Sequence, residues 1–454
     1  MARQYLVMEL KRRLNLFDTT LLVIGNVVGA GIFTTSGFLA AELPQPLFFI
    51  AIWVMGGLLT LCGALTYAEM AGMFPRSGGD YQFLKEAYGP GAGFLLGWVS
   101  FWVITPGSIA ALSIALVSYV KGFIPLSHPV SEKFLAVAII SSLSFINYRG
   151  VRLSGTVQDI FTLGNLMIVL VIALGGLAFG SGNWQHFTVA SPASLPFSKL
   201  FGPAMIAVIF TYSGWFVSAY VGGEIKKPER TLPLSLFLGT MTVTLLYTII
   251  NLTYLYALPL SRLKDVVNVA QLTAKTLFNP AFAQILSLSI VLAITASINA
   301  TILAGARIYY AMAEDRLFWS PFKRLHPEYH TPSISILSQM ILASLFVFLG
   351  TFDQLLSYVV FIMLLSSIAT GLAHLVLRLR KPGLSRPYHT WGYPVVPLLF
   401  ICSYAWIAIR IAYSKPLTSI AGLIITLSGL PFLIWFKTNI FREENKRGKE
   451  RSIF

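Results

Sequence analysis

Glycines interrupt the first long apolar run at its middle, in Gly25-Asn26-Val27-Val28-Gly29-Ala30-Gly31-Ile32-Phe33. Three glycines within seven residues weaken a helix there, because each costs roughly 1 kcal/mol relative to alanine. Unwound backbone inside a bilayer is tolerated only where it is buried in protein or lines a wet cavity. Residues 29–31 would open a second half-helix, whose bare N–H groups and positive dipole end suit an anion such as a carboxylate. The pattern predicts a ligand site on a broken helix at mid-membrane depth.

The composition is that of a membrane protein. Of the 454 residues, 56% are hydrophobic and 11% are charged, whereas soluble domains carry about 25% charged residues. The net charge of +15 does not indicate nucleic acid binding, because the basic residues lie between apolar runs and form no single patch. Lys11-Arg12-Arg13 precede a run too long for a cleavable signal peptide. Cys62 and Cys402 fall inside apolar runs, where we expect small core residues and neither a disulfide nor a metal site.

Twelve apolar segments approach the ~20 residues needed to cross the hydrocarbon core, so we predict an all-α membrane protein. The predicted spans are 18–40, 47–73, 93–120, 134–147, 157–179, 200–222, 232–258, 282–312, 334–349, 355–379, 395–413 and 417–435. With the connections assigned alternately to two sides, 25 of the 33 Lys and Arg residues fall on the side of the N-terminus. The positive-inside rule then places both termini in the cytoplasm and the chain in the cell (inner) membrane, with 1–17 and 436–454 as cytoplasmic ends.

A weaker interruption lies in the sixth span, in Phe210-Thr211-Tyr212-Ser213-Gly214-Trp215. On its own, Ser-Gly would indicate a helix–helix contact of small residues, which is common in membranes. Interrupted spans at corresponding places in two halves are, however, typical of inverted-repeat secondary transporters. We therefore predict a five-plus-five inverted repeat with spans 1 and 6 unwound. Residues 18–179 and 200–379 are the two halves, and 395–435 adds two helices.

Several stretches, in the correct order, resemble the amino acid–polyamine–organocation (APC) superfamily and especially its L-amino-acid transporter branch. Residues 25–33 match the first-span pattern of a glycine, bulky residues, and then Gly-small-Gly-Ile-Phe. The other matching stretches are 64–81, 210–215, 223–230, 305–316 and 386–394. The resemblance implies an amino acid transporter that works by alternating access.

Carried over residue by residue, the resemblance implies how a free amino acid would bind. Backbone N–H groups would receive its carboxylate, at Gly29, Ala30 and Gly31. Backbone carbonyls would receive its ammonium group, at Val27, Phe210 and Ser213. The Phe210 ring matches an aromatic gate that closes over the substrate from outside. The remaining residues of the implied site are Val28, Gly214, Trp215 and Tyr254. Neither break contains Asp, Glu, Lys or Arg, which favours neutral amino acids.

The chain departs from the branch at Asn165, where a lysine usually follows the Phe-Thr motif of span five. In the family, that ammonium group is thought to stand in for a sodium ion beneath the first break. Asn165 can donate hydrogen bonds to the Gly25 carbonyl and to Ser297, but it supplies no charge. Three alternatives are open for the missing positive charge. A sodium ion replaces it, a proton bound elsewhere replaces it, or the transporter does not need it. Ser297 and Thr301 lie on one face of span eight and suit either sodium or helix packing.

Ionisable groups inside apolar spans are functional candidates by default. Glu69 and Asp159 lie near predicted cytoplasmic ends, where pairing with Arg or Lys in an inner gate competes with proton carriage. Glu224 lies beside Lys226 and Lys227, which favours a structural ion pair. His374 is the one histidine deep enough to consider for proton coupling.

The function that we predict is secondary-active transport of neutral L-amino acids, by exchange. Two alternatives stay open: a proton- or sodium-coupled symporter of the same fold, and an amino acid sensor that does not transport. We expect no enzyme activity, cofactor or metal, because no convergent catalytic set or Gly-rich phosphate loop stands out. Animal members often pair with a heavy chain through a cysteine between spans three and four. Residues 121–133 contain none, so we expect no disulfide-linked partner.

Overall fold

A computed structural model describes residues 10–29, 31–43, 45–121, 123, 128–188, 197–266, 269–349 and 352–438, and the structural statements below concern these residues. They form helices, joined by two isolated bridges, Leu14 with Ile225 and Ser77 with Val221. The helices are α1 Leu16–Val27, α2 Gly31–Glu42, α3 Pro46–Met73, α4 Asp80–Tyr88, α5 Pro90–Val99, α6 Thr105–Val120, α7 Pro129–Tyr148, α8 Val151–Phe179, α9 Phe197–Thr211, α10 Val217–Tyr220, α11 Pro228–Ala257, α12 Leu260–Leu263, α13 Val269–Leu277, α14 Pro280–Glu314, α15 Ser333–Leu349, α16 Phe352–Arg380, α17 Val395–Ser414 and α18 Pro416–Leu427.

Nine helices among the described residues are long and apolar enough to cross a membrane. They correspond to nine of the predicted spans, with α5 and α6 joined through a π-helical stretch, Ser100–Ile104, into span three. The three exceptions are the first, sixth and ninth spans. The first and sixth are each divided into two helices, and the ninth is α15, of 17 residues. The count of twelve therefore stays a prediction.

The first interruption separates α1 from α2. The α1 helix begins with a capping box, in which the Asn15 side chain accepts from the N–H groups of Phe17 and Asp18. It ends at Val27, and helix resumes at Gly31. Because the axis breaks here, the ends of both half-helices meet neighbouring elements in the middle of the bundle. α1 packs on α8, α11 and α14, whereas α2 packs on α9, α12 and α13.

The second interruption separates α9 from α10. α9 ends at Thr211, and residues 212–216 form turns before the short helix α10 begins. Gly214 has a φ of +98°, a conformation that a residue with a Cβ rarely adopts. The glycine thus allows the chain to turn in the middle of the bundle.

One end of the bundle, here called the N-terminal face, carries the segment before α1, the loop 74–79 and the segment after α10. The N–H groups of Arg13 and Leu14 donate to the Glu224 carbonyl at 2.8 and 3.0 Å, and the N–H of Lys226 donates to the Leu14 carbonyl at 2.8 Å. The N–H of Gly78 donates to the Tyr220 carbonyl at 3.0 Å. Main-chain hydrogen bonds therefore join both interrupted spans and the loop before α4 at this face.

The two cysteines are free and differ in burial. Cys62 is half-buried in α3, whereas Cys402 is exposed on α17. The prediction that both are core residues is therefore wrong for Cys402. An apolar run in a membrane protein has a side that faces lipid, so its hydrophobicity does not decide which residues are packed inside.

Candidate functional site

A cavity of about 350 Å³ lies where the two interruptions meet. Its walls come from α1, α2, α6, α9, α14 and α16. The lining residues are Asn26, Val27, Gly29, Gly31, Thr35, Phe38, Ser108, Ala111, Leu112, Ala115, Phe210, Thr211, Ser213, Gly214, Ser297, Thr301, Val359 and Met363. None of these lining residues carries a charge. A small zwitterion fits such a site, because backbone dipoles and hydroxyl groups can meet both of its charges without a charged side chain.

Asn26 joins the two interruptions directly. Its Nδ2 donates to the Gly214 carbonyl at 2.8 Å, and its Oδ1 accepts from the Thr301 hydroxyl at 3.3 Å. Asn26 lies within the predicted first break, and no role was predicted for it. The signal was present in the sequence, since an amide at the middle of an apolar run needs partners.

Ser297 holds the end of α1 in place. Its hydroxyl donates to the Gly25 carbonyl at 2.8 Å, while Gly25 itself does not line the cavity. The hydrogen atoms of Gly25 face Thr162 and Gln158 of α8 so closely that a Cβ would overlap both side chains. Gly25 therefore serves close packing of α1 against α8, and Ser297 is the member of this pair that reaches the cavity.

Tyr247 of α11 contacts the site although it is not among the predicted site residues. Its buried hydroxyl lies 2.9 Å from the Val27 carbonyl and 3.4 Å from the Thr211 carbonyl, one at the end of each broken helix. The Gly29 N–H also donates to the Val27 carbonyl, at 2.8 Å. In this conformation, two donors therefore already occupy the carbonyl predicted for an ammonium group, and the Gly29 N–H predicted for a carboxylate is used locally.

The structure divides the predicted site residues into two groups. Those that line the cavity are Val27, Gly29, Gly31, Phe210, Ser213, Gly214 and Ser297. Those that lie elsewhere are Gly25, Val28, Asn165, Trp215 and Tyr254. Ala30 lies outside the described residues.

Trp215 and Tyr254 lie outside this cavity in the present conformation. The Trp215 ring is buried against Tyr67, at a centroid distance of 4.7 Å, and Phe400, at 6.0 Å, because the turn at Gly214 directs it towards α3 and α17. The Tyr254 hydroxyl lies 3.5 Å from the Ile32 carbonyl, and Tyr254 is not among the lining residues. Val28 is fully buried as well.

Asn165 has a different partner from the one predicted. Its Oδ1 accepts from the Ser289 hydroxyl at 3.0 Å, whereas Ser297 bonds Gly25. α8 and α14 run antiparallel, since Gln158 meets Asn299 at 3.0 Å while Asn165 meets Ser289. This register places Asn165 about two helical turns from Ser297 along α14.

Glu69 and Glu224 are held in ion pairs. Glu69 accepts from Arg378 at 2.5 and 2.9 Å and from Arg386 at 3.2 Å, in agreement with the predicted pairing. His374 also contacts Glu69, at 3.2 Å, so its imidazole belongs to this network.

Glu224 forms a buried ion pair with Arg307, at 2.8 and 3.0 Å. The predicted pairing of Glu224 with Lys226 and Lys227 is thus replaced. Lys226 and Lys227 are exposed, whereas Arg307 of α14 is buried beside Glu224. Asp159 lies at the N-terminal face, where it lines a surface hollow with Arg12, Arg13 and Arg152.

Comparisons with known proteins agree with this architecture. Residues 14–436 match the family model described as amino acid permease. The chain is 31% identical over 425 residues to the serine/threonine exchanger SteT of Bacillus subtilis, covering 93% of this chain and 96% of that protein. It is 29% identical to the Asc-type amino acid transporter 1 of Mus musculus, with 96% and 83% covered. It is also 29% identical to the large neutral amino acids transporter small subunit 2 of Homo sapiens, with 93% and 80% covered. The chain belongs to the amino acid permease family, a family of membrane transporters.

Proposed function

We propose that this protein exchanges small neutral L-amino acids, of the size of serine and threonine, across the cell membrane. The observation that carries the proposal is the uncharged cavity of about 350 Å³ between two interrupted helices. A cationic or acidic side chain would need a counter-charge there, and the lining offers none. Five hydroxyl-bearing residues besides Ser213 line it, namely Thr35, Ser108, Thr211, Ser297 and Thr301, and they suit a substrate that carries a hydroxyl itself.

The mechanism follows from the two breaks. The substrate carboxylate takes the N–H groups at residues 29–31, at the positive end of the α2 dipole. The ammonium group takes carbonyls at Phe210 and Ser213, near the end of α9, with the Val27 carbonyl available once both Tyr247 and the Gly29 N–H withdraw. Substrate binding therefore competes with the Tyr247 bond that joins the two breaks. Phe210 borders the cavity and acts as the gate in this scheme.

Alternating access would move one half of an inverted repeat against the other. We propose that 18–179 and 200–379 are these halves, that twelve spans cross the membrane, and that both termini are cytoplasmic. The N-terminal face is then the cytoplasmic gate. No disulfide-linked heavy chain is proposed, because 121–133 lacks cysteine.

Counterflow in proteoliposomes tests exchange. Liposomes loaded with unlabelled L-serine should take up labelled L-serine or L-threonine, whereas empty liposomes should take up far less. Labelled L-lysine and L-glutamate should not enter. Uptake that depends on a sodium or pH gradient, and not on internal amino acid, would replace exchange by symport. Binding without any flux would indicate a sensor.

Phe210→Ala tests the gate within the same assay. The variant should slow exchange about tenfold or more, since an open gate no longer occludes the substrate. Phe201→Ala is the matched control, because this half-buried ring lies on the same helix, 6.4 Å from Trp406, outside the cavity. Equal exchange by both variants would remove Phe210 from the gate.

A further inference from the structure

A second, smaller cavity lies between the substrate cavity and the N-terminal face. It has a volume of about 90 Å³, enough for a few water molecules. Both cavities are lined by Asn26, Ser108, Gly214, Thr301 and Met363. The Asn26 side chain and its two hydrogen bonds therefore form the partition between them.

Asp80 is the one carboxylate that lines this second cavity. Its side chain is 2% exposed. Oδ2 accepts from the Tyr220 hydroxyl at 2.8 Å, whereas no hydrogen bond reaches Oδ1 within the described residues. The hydroxyls of Tyr67 and Thr370 are also buried without hydrogen bonds there, and both lie close enough to favour the ionised carboxylate.

The ionisable groups on the elements around Asp80 leave it without a counter-ion. The buried and half-buried ones include Tyr67 and Glu69 on α3, Tyr81 and Lys85 on α4, Tyr220 and Glu224 at α10 and beyond it, Arg307 on α14, and His374 and Arg378 on α16, whereas Arg76 in the loop before α4 is exposed. Each cation in this buried and half-buried set is bound to another acid: Lys85 to Asp315, Arg307 to Glu224, and Arg378 to Glu69. Asp80 itself forms no ion pair in the described part of the chain. Burial without a counter-ion disfavours the negative charge, which the elements around Asp80 do not otherwise neutralise.

We propose that Asp80 is a proton-binding group of the transport cycle, which takes up a proton through the substrate cavity and releases it at the N-terminal face. The step is a simple transfer: the Asp80 carboxylate accepts a proton from a hydronium ion, leaving water, and returns it to water later. This inference rests on the proposed transport function and adds a proton to it.

The geometry makes the proton affinity of Asp80 depend on whether the N-terminal face, the proposed cytoplasmic gate, is closed or open. Burial raises the pKa of Asp80 to about 6 while the face is closed. The gate itself is tight, because Gly79, with a φ of +52°, lies against the Tyr220 ring, and a Cβ there would be 2.8 Å from Tyr220 Cγ. When α4 separates from α10, water reaches the carboxylate and its pKa returns towards the ordinary range. Opening therefore releases the proton, and by linkage proton binding favours the closed face.

A proton suits this place better than a sodium ion. The groups that surround Asp80 are the hydroxyls of Tyr67, Tyr220 and Thr370, each of which can turn a hydrogen towards the carboxylate. Sodium, a hard cation, would instead call for several converging carbonyl or carboxylate oxygens. Protonation neutralises Asp80 without any further ligand.

The test uses full-length protein in proteoliposomes loaded with unlabelled L-serine, with labelled L-serine outside, so that the pH effect is measured on exchange itself. An inside-alkaline pH gradient should stimulate uptake by the wild type several-fold at constant sodium, and Asp80→Asn should abolish this stimulation. Glu86→Gln is the matched control, since Glu86 is on the same helix in a surface pair with Lys381, and it should keep the stimulation. Stimulation that persists in Asp80→Asn, or that follows sodium and not pH, would overturn the proposal.

Tyr220→Phe keeps the test decisive if Asp80→Asn fails to fold. Removing the hydrogen bond to Oδ2 removes a group that stabilises the ionised form, so the pH midpoint of uptake should move up by roughly one unit. A merely structural role for Tyr220 would lower the rate and leave the midpoint where it is, which would also overturn the proposal. Counterflow of L-serine at each pH separates the two ideas. Absence of counterflow at every pH defeats the transport function, whereas counterflow with no pH effect on uptake defeats only the proton site.

Discussion

Gly214→Ala should disable the site, because Gly214 combines an unusual backbone conformation with a close contact. Its φ of +98° is a conformation whose strain, for a residue with a Cβ, is of the order of 1–3 kcal/mol. A Cβ would lie 2.7 Å from Asn26 Nδ2 and 3.0 Å from the Asn26 carbonyl oxygen. The hydrogen bond from Asn26 to the Gly214 carbonyl must then shift or break, and overpacking of this kind costs about 1–3 kcal/mol.

The magnitude follows from adding these two costs. Together they disfavour by about 2–6 kcal/mol the conformation in which the two interruptions meet. Since about 1.4 kcal/mol is a tenfold change, the binding-competent population should fall by roughly 30-fold or more. The apparent affinity for an amino acid falls by the same factor, because it is proportional to that population.

Binding of labelled L-serine to the purified protein measures this effect. Gly175→Ala of α8 is the matched control, because Gly175 lies outside the cavity and a Cβ there would meet only the Phe278 ring, at an ordinary 3.8 Å. We expect Gly175→Ala to bind within about threefold of the wild type. The reasoning is refuted if Gly214→Ala binds as tightly as Gly175→Ala while both variants remain folded.

Three further variants test the structure at other places. Tyr247→Phe removes the hydroxyl that joins the two helix ends, so thermal stability should fall by about 1–2 kcal/mol and counterflow should slow; unchanged values would show that the hydroxyl joins nothing. Arg307→Met leaves Glu224 buried and unpaired, which should lower the free energy of unfolding by about 3–5 kcal/mol. Adding Glu224→Gln should recover much of that stability, and no recovery would contradict the pairing. The pKa of Asp80 is raised from 3.8 to about 6 in the folded protein, so the folded state binds more protons between these values. Stability should therefore fall as pH rises from about 4 to about 6 and stay level above, whereas Asp80→Asn should remove this slope in a melting-temperature series.

Most of the helices could be predicted from the sequence, because lipid imposes a length and an apolar composition on each crossing segment. The nine long helices correspond to predicted spans, with shifted ends. The glycines likewise predict where α1 ends, because glycine destabilises a helix locally, whichever helices pack around it. The side chains that contact one another between different helices could not be predicted.

Partners depend on the register between helices, and a single sequence does not contain it. Asn165 meets Ser289 and not Ser297 because α8 and α14 are antiparallel in one particular register. Trp215 lies outside the cavity of about 350 Å³ because the direction of its ring is set by the turn at Gly214. Tyr247 and Asp80 were overlooked for the same reason. Nothing local distinguishes a tyrosine that bridges two helix ends from other buried tyrosines, or an acid in a loop motif from a solvated one.

The neutrality of the substrate cavity and the charge of Asp80 are linked. The two cavities share a wall, so a cation that passes the Asn26 partition next meets Asp80. With Asp80 ionised, that meeting is favourable, and a lysine-like side chain would be held there and not released. With Asp80 protonated, the whole described lining of both cavities is uncharged, and a zwitterion meets only dipoles and hydroxyls. Proton occupancy of Asp80 would therefore preserve selectivity for neutral amino acids as well as couple the cycle, so inhibition of L-serine uptake by external L-lysine should grow as pH rises above 6.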